Sequence, residues 1–225
     1  MNQISVGFLQ GFTDGIRKLW EFFVSRKEAL LELTVEHIWI VLLAVLIAIV
    51  LGIILGLLSS YYKTLASIIL PFTQIMMTVP SLALLALFIP ILGIGFKNGL
   101  TALVIYSLLP IVRNTYTGIA GINPRIIEAA RGMGLTEWRI LIKIKIPLAM
   151  PVILAGVRTA TVMITGIAAI VYAIGAGGLG EFIFRGISGT YREMIMAGAI
   201  MTSILAIIAD YGLKAVEQYL LQRQS

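Results

Sequence analysis

Residues 38–58 read IWIVLLAVLIAIVLGIILGLL, a run with no charged side chain. About 20 helical residues cross a hydrocarbon core, so this run alone is long enough to span a bilayer. Lipid offers no hydrogen bonds to an exposed backbone, which leaves helices and closed barrels as the only spanning structures. The rest of the chain agrees with a helical reading. Of its 225 residues 59% are hydrophobic and 12% charged, and mean hydropathy is +1.00. A soluble domain carries roughly a quarter charged residues. The sequence therefore predicts an all-α integral membrane protein, folded as one compact unit.

Further apolar segments of spanning length lie outward from this run. With 38–59 they are approximately 66–91, 98–121, 148–174 and 194–219, predicting about five transmembrane helices. The second segment contains Pro71, Pro80 and Pro90, with Thr73, Gln74, Thr78 and Ser81 between them. Prolines are tolerated in such helices where neighbours or cavity water satisfy the freed carbonyls. The segment reads either as a kinked packing helix or as a bent helix lining a pathway. In the second case Thr78, Ser81 and Tyr106 are candidate lining residues.

Residues 1–36 form an amino-terminal arm ahead of a membrane domain at 37–225. In the arm Phe12, Ile16, Leu19, Trp20 and Phe23 recur at helical spacing among Arg17, Lys18 and Glu21. That pattern suits a helix lying in the membrane interface. The first apolar run starts too late, and is too long, for a signal peptide.

The net charge of +6 sits beside apolar runs, where topology explains it better than nucleic acid does. Basic residues in short loops resist translocation. If 124–147 is cytoplasmic, then Lys63, Arg113, Arg125, Arg131, Arg139, Lys143, Lys145, Lys214 and Arg223 all lie inside. Lys97, Arg185, Arg192 and the mixed-charge arm lie outside. Five spans then put the amino terminus outside and the carboxyl terminus in the cytoplasm.

With no cysteine there is no disulfide framework, thiolate metal site or cysteine nucleophile. The string GAGGLG at 175–180 has dinucleotide-loop spacing but no soluble βαβ unit around it, and reads as a tight extracellular re-entry. No Walker A sequence occurs, so this chain cannot bind ATP by such a loop. Arg158 falls inside the fourth span with either a structural or a gating role, since charge at that depth faces protein or water. Asp210 in the last span is a similar case. The lone His37 precedes the first span and reads as interfacial, without the partners a metal site needs. The spans lack the paired acids or His–Ser arrangement of an intramembrane enzyme.

The polar stretch 124–151 reads PRIIEAARGMGLTEWRILIKIKIPLAMP. Pro124 suits the first helical position, where its missing N–H costs nothing. IIEAAR then predicts a short helix stopped by GMG. Thr136 caps a second helix, EWRILIKIK, expected to end at Pro147. Gly134 permits the reversal between them. Such a helix–Gly–helix element either sets topology as a basic loop or inserts into a groove on a soluble partner.

The residues Glu128, Ala129, Ala130 and Gly134, followed by Ile146 and Pro147, resemble the EAA loop of permease subunits in bacterial ABC importers. The longer strings GINPRIIEAARGMGLTEW, PLAMPVILAGVRTATV, AIGAGGLG and TVPSLALLALFIPILGIG resemble the osmoprotectant branch of the binding-protein-dependent (MetI-like) transport permeases. The resemblance covers roughly residues 34–218. It implies a transporter subunit rather than an enzyme, in the bacterial cytoplasmic membrane. It implies a coupling helix seated in a cleft of a cytoplasmic ATPase dimer, with Glu128, Ala129, Ala130, Gly134, Leu135 and Thr136 at the contact. It further implies ATP-Mg on that partner, a second permease subunit, and an extracellular binding protein that carries the aromatic cage for a quaternary ammonium group. The expected cargo is glycine betaine, carnitine, choline or proline betaine, taken up for osmoprotection. Importers of another small solute such as methionine, and a passive channel, are the alternatives.

Overall fold

The computed structural model describes residues 2–222, and among these every regular element is helical. Arg223 and the Phe12 side chain lie outside the described set. Helix α1 spans Asn2–Ser25. Arg26, at φ −114° and ψ 19°, breaks it from α2, Lys27–Tyr61. At 1.5 Å per residue α2 is about 52 Å long, well over the thickness of a hydrocarbon core. Its buried positions include Leu30, Leu33, His37, Ile40, Ala44, Ala48, Gly52 and Gly56, stepping by three and four along one face. That face runs without a break across residue 36. Leu30 and Leu33 pack with Leu179 and Phe182, and Phe22 meets the Phe182 ring edge-on at 5.8 Å.

Helices α3, Lys63–Thr78, and α4, Ser81–Leu92, replace the single span expected at 66–91 and meet at 107°. Pro71 and Pro90 sit inside these helices, and Pro80 makes the break. A proline disfavours helical geometry in the residue before it, and Val79 is extended at φ −66°, ψ 128°.

Helix α5, Phe96–Ala120, is the centre of the bundle, packed on α2 and on α8, Ile146–Ile167. The helical rod Glu137–Ile167 that contains α8, with α2 and the last helix, are long and apolar enough to cross a membrane. The α3–α4 pair passes the same test as one bent span. Helix α5 is long enough but less apolar, because Asn98, Ser107 and Thr115 lie along it. All are buried against neighbouring helices, so α5 does not need an apolar surface for lipid.

Glycines let these three helices approach closely. A Cβ at Gly56 would lie 2.5 Å from Thr115 Cβ, and one at Gly156 would lie 2.6 Å from Asn114 Cβ. Gly52 and Gly56 form the small-xxx-small spacing that brings membrane helices together.

Helix α8 ends at Ile167, short of the expected 174, and the chain tightens into a 3-10 turn at Ile170–Ile174. Gly175, Gly177 and Gly178 follow with φ of 76°, 83° and 84°, conformations that only glycine adopts freely. Helix α9, Gly180–Gly189, and α10, Arg192–Gln222, complete the chain. The bundle's lateral surface carries exposed Leu42, Leu46, Val50, Ile204 and Ile208, as lipid contact requires.

Candidate functional site

The polar loop folds as α6, Pro124–Gly132, then a turn, then α7, Glu137–Ile140. Asn123 caps α6 by accepting from the Arg125 N–H at 3.0 Å, with Pro124 at the first position. At the other end the Leu135 N–H donates to the Ala130 carbonyl and the Gly134 N–H to the Arg131 carbonyl. This crossed pair is a Schellman motif, whose penultimate residue must be left-handed. Gly134 has φ 77°. Thr136 then accepts from the Arg139 N–H at 3.4 Å and starts α7.

The turn is braced by Arg131, whose Nε lies 2.6 Å from Glu137 Oε1 across the two short helices. Hydrogen bonding to the guanidinium holds the Glu137 carboxyl below its usual range and raises Arg131. Lys145 reaches back to α2, donating to Tyr61 Oη at 3.2 Å with its ammonium 4.5 Å from the ring centre. Between these ties the crest of the loop is bare. Met133 is 73% and Trp138 68% exposed, and Glu128, Ala129, Gly134 and Thr136 are exposed beside them, with Leu135 half-buried. Ala130, expected at the partner contact, is instead 1% exposed. It faces the chain's own interior, where its small side chain admits the close turn.

The second limb corrects the expectation of a stop at Pro147. Residues 141–145 form a π-turn, and the chain continues as α8 with Pro147 near its start. A mid-helix proline leaves a carbonyl without its donor and crowds the preceding turn. The wider i→i+5 turn, closed by the Ile146 N–H on Leu141 O, supplies the slack. The loop is thereby welded to a spanning helix.

The other residues singled out in the sequence lie apart from this loop. Thr78 is exposed at the bend and bonds its own helix at Ile75 O, and Ser81 is half-buried. Tyr106 is 3% exposed inside the protomer, and its hydroxyl donates to the Val79 carbonyl at 2.5 Å. It therefore supports the bend from behind rather than standing beside Thr78. Arg158 pairs with Asp210 on α10, Nε to Oδ1 at 2.5 Å and Nη2 to Oδ2 at 3.3 Å. His37, read as interfacial, is fully buried, its Nε2 2.9 Å from the Thr165 carbonyl. Beside it Glu36 accepts from the Gly178 N–H at 3.1 Å. Leu30 and Leu33, seven and four residues before His37, were the local hint of its burial, because the run that follows is apolar on every side. Nothing in the linear pattern paired residues 158 and 210.

Comparison with known proteins agrees with this architecture. Residues 48–223 match the model of the binding-protein-dependent transport system inner membrane component. The chain is 42% identical over 203 residues to the glycine betaine/carnitine/choline transport system permease protein OpuCB of Bacillus subtilis, covering 90% of this chain and 94% of that one. It is 45% identical over 187 residues to the osmoprotectant import permease protein OsmW of Salmonella typhimurium, covering 81% and 87%. The fold also resembles that of the MetNI methionine ABC transporter in an inward-facing crystal form, at TM-score 0.73 and 21% identity over 85% of this chain and 95% of that one. The matched span takes in the loop, its welded helix and the bent pair alike, and the chain belongs to the family of binding-protein-dependent transport system inner membrane components, as a multi-pass permease subunit with a MetI-like fold.

Proposed function

We propose that this permease subunit serves an ATP-driven importer of quaternary ammonium compatible solutes, of the glycine betaine, carnitine, choline and proline betaine kind, for osmoprotection. What carries the mechanical part is the bare apolar crest at Met133 and Trp138, braced at its base and continuous with a membrane helix. A crest of that kind suits insertion into a groove on a partner, as apolar anchors rimmed by charge do at protein interfaces. The solute class follows from the names of relatives that match most of the chain.

In this reading α2, the α3–α4 pair, α5, α8 and α10 cross the membrane, with the amino terminus outside and 124–147 in the cytoplasm. A cytoplasmic ATPase dimer binds ATP-Mg and receives Glu128, Ala129, Gly134, Leu135 and Thr136 together with Met133 and Trp138. Ala130 holds the turn from inside. A second permease subunit completes the pathway, and broken backbone at membrane depth belongs beside such a protein-lined space. Thr78 and Ser81 at the bend are the lining residues. A loaded binding protein delivers solute at the outer face.

The test is uptake of labelled glycine betaine, carnitine and choline by cells whose only route is this importer. Uptake of at least one, abolished when the ATPase gene is deleted, is expected. Uptake that persists without the ATPase would overturn the reading in favour of a passive pore. Transport of none of the three would overturn the solute assignment.

A further inference from the structure

The charges between α8 and α10 have no part in the loop or the bend. Arg158 stands about 18 Å along α8 from Ile146, at 1.5 Å per residue. It holds both carboxylate oxygens of Asp210. On its other side Nη1 lies 3.6 Å from Glu217 Oε2, within ion-pair range but beyond a hydrogen bond. That Glu217 oxygen is buried and has no hydrogen-bond partner. Asp210 and Glu217 are two turns apart on α10, about 10.5 Å. The guanidinium thus sits between two acids, holding one and facing the other.

Its position on the chain gives this arrangement a mechanical meaning. The rod Glu137–Ile167 is helical throughout, with its π-turn at Leu141–Lys145, so Trp138 and Arg158 are joined by about 30 Å of continuous helix. Helix α10 is packed chiefly on α8 and α9 and meets that rod where Arg158 grips it.

We propose that Arg158, Asp210 and Glu217 form the joint that passes the loop's motion from α8 to α10, the guanidinium leaving Asp210 for Glu217 in the opposite transport state. The proposal rests on the loop being the ATPase contact. A static brace is complete with Asp210 alone. A second buried acceptor held by a 3.6 Å ion pair without a hydrogen bond is under-satisfied in this state, and a two-position element carries such a cost in each of its positions. Closing the 3.6 Å gap to hydrogen-bond length takes a movement of about 0.7 Å, small against the shifts of packed helices.

The test uses the whole importer, purified with its ATPase and returned to liposomes with its binding protein. The quantity read is glycine betaine moved per ATP hydrolysed. Glu217→Gln gives up only the longer, 3.6 Å ion pair with Arg158 and keeps the Asp210 grip, so it should insert, retain its ATPase and hydrolyse ATP. Its transport ratio should fall at least tenfold. The charge swap Arg158→Asp with Asp210→Arg should restore part of the thermal stability lost in Arg158→Gln, since the new aspartate faces Glu217, while leaving the ratio low because the second position is not rebuilt. A wild-type ratio in Glu217→Gln, or full recovery of transport by the swap, would overturn the joint. Crosslinking of Met133→Cys to the ATPase separates the two readings. Normal crosslinking with an unchanged Glu217→Gln ratio sinks the joint alone, whereas no crosslink from an intact complex sinks the loop contact beneath it.

Discussion

Tyr106 shows at the scale of one residue how a broken membrane helix is kept whole. The bend at Pro80 strands the Val79 carbonyl between two helices, and the buried Tyr106 hydroxyl is its donor. Tyr106→Phe keeps the ring and deletes that donor, leaving a buried acceptor unsatisfied. The expected cost is about 1–3 kcal/mol, read as a lowered unfolding midpoint in detergent. Gly134 has a different constraint. A Cβ there meets open space but φ is 77°, so only the backbone resists substitution, by about 1–2 kcal/mol for an ordinary residue. Gly134→Ala should therefore slow uptake, and Gly134→Asn should slow it less, since asparagine visits this conformation readily. Glu137 adds a pH dependence. Its folded carboxyl is lowered by Arg131, so the bracing is fully present above the ordinary carboxylate range and is lost as pH falls through the lowered value. A spin label at Met133→Cys should become mobile on acidification. In Glu137→Gln the label should be mobile at every pH. Pro124, Gly134 and Thr136 were legible in the sequence because caps and left-handed turns depend on neighbours a few positions away. The inward turn of Ala130 depends on tertiary packing and was not.

Among the elements, the same divide falls between local and tertiary causes. The spanning length of α2 and the capped α6 could be read from residues alone. The π-turn could not, because Pro147 reads as a stop unless the preceding turn widens to absorb it. The pairing of Arg158 with Asp210 likewise depends on how α8 and α10 cross. Helix α5 is a subtler case. Its polar residues lower its hydropathy, yet they are buried, and a central helix is screened from lipid by its neighbours. The close crossing of α2 with α5 is the element contact most open to test. At Gly56 an added Cβ would fall 2.5 Å from Thr115 Cβ and 2.9 Å from the Val112 carbonyl oxygen. That backbone oxygen cannot give way without moving the helix. Gly56→Val should therefore destabilise the bundle by at least about 1–3 kcal/mol, as overpacked cores do. Gly212→Val, where nothing lies within 4 Å, is the matched control. Aggregation on gel filtration by the first and not the second is the expected outcome. Equal behaviour would mean that α2 and α5 are not packed this closely.

For the whole molecule the question is which way the bundle faces. Basic residues cluster at Arg125, Arg131, Arg139, Lys143 and Lys145, in the loop that joins α5 to α8, and such residues stay on the cytoplasmic side. The arm gives no such guide, since Arg17 pairs with Asp14 and Glu21 along α1. In the proposed orientation the loop is cytoplasmic, and every other surface follows from it by counting crossings. The 107° bend makes the count delicate. If α3 and α4 cross as one span, α5 descends to the loop from the outer face and Tyr62 lies inside. Lys145 of the loop donates to Tyr61 at the end of α2, so Tyr62 and the loop share one end of the bundle, as a single crossing by the bent pair requires. The chain has no cysteine, so single cysteines report without background. An impermeant thiol reagent, applied outside to sealed right-side-out vesicles, should leave Met133→Cys and Tyr62→Cys unlabelled until the vesicles are opened. It should label Ile187→Cys at once, that residue being 59% exposed on α9. Labelling of Tyr62→Cys from outside with Met133→Cys protected would mean that the contact between Tyr61 and Lys145 is not made and that the bent pair re-enters. Labelling of Met133→Cys from outside would place the crest where no cytoplasmic ATPase can reach it, and the importer mechanism would fail with it.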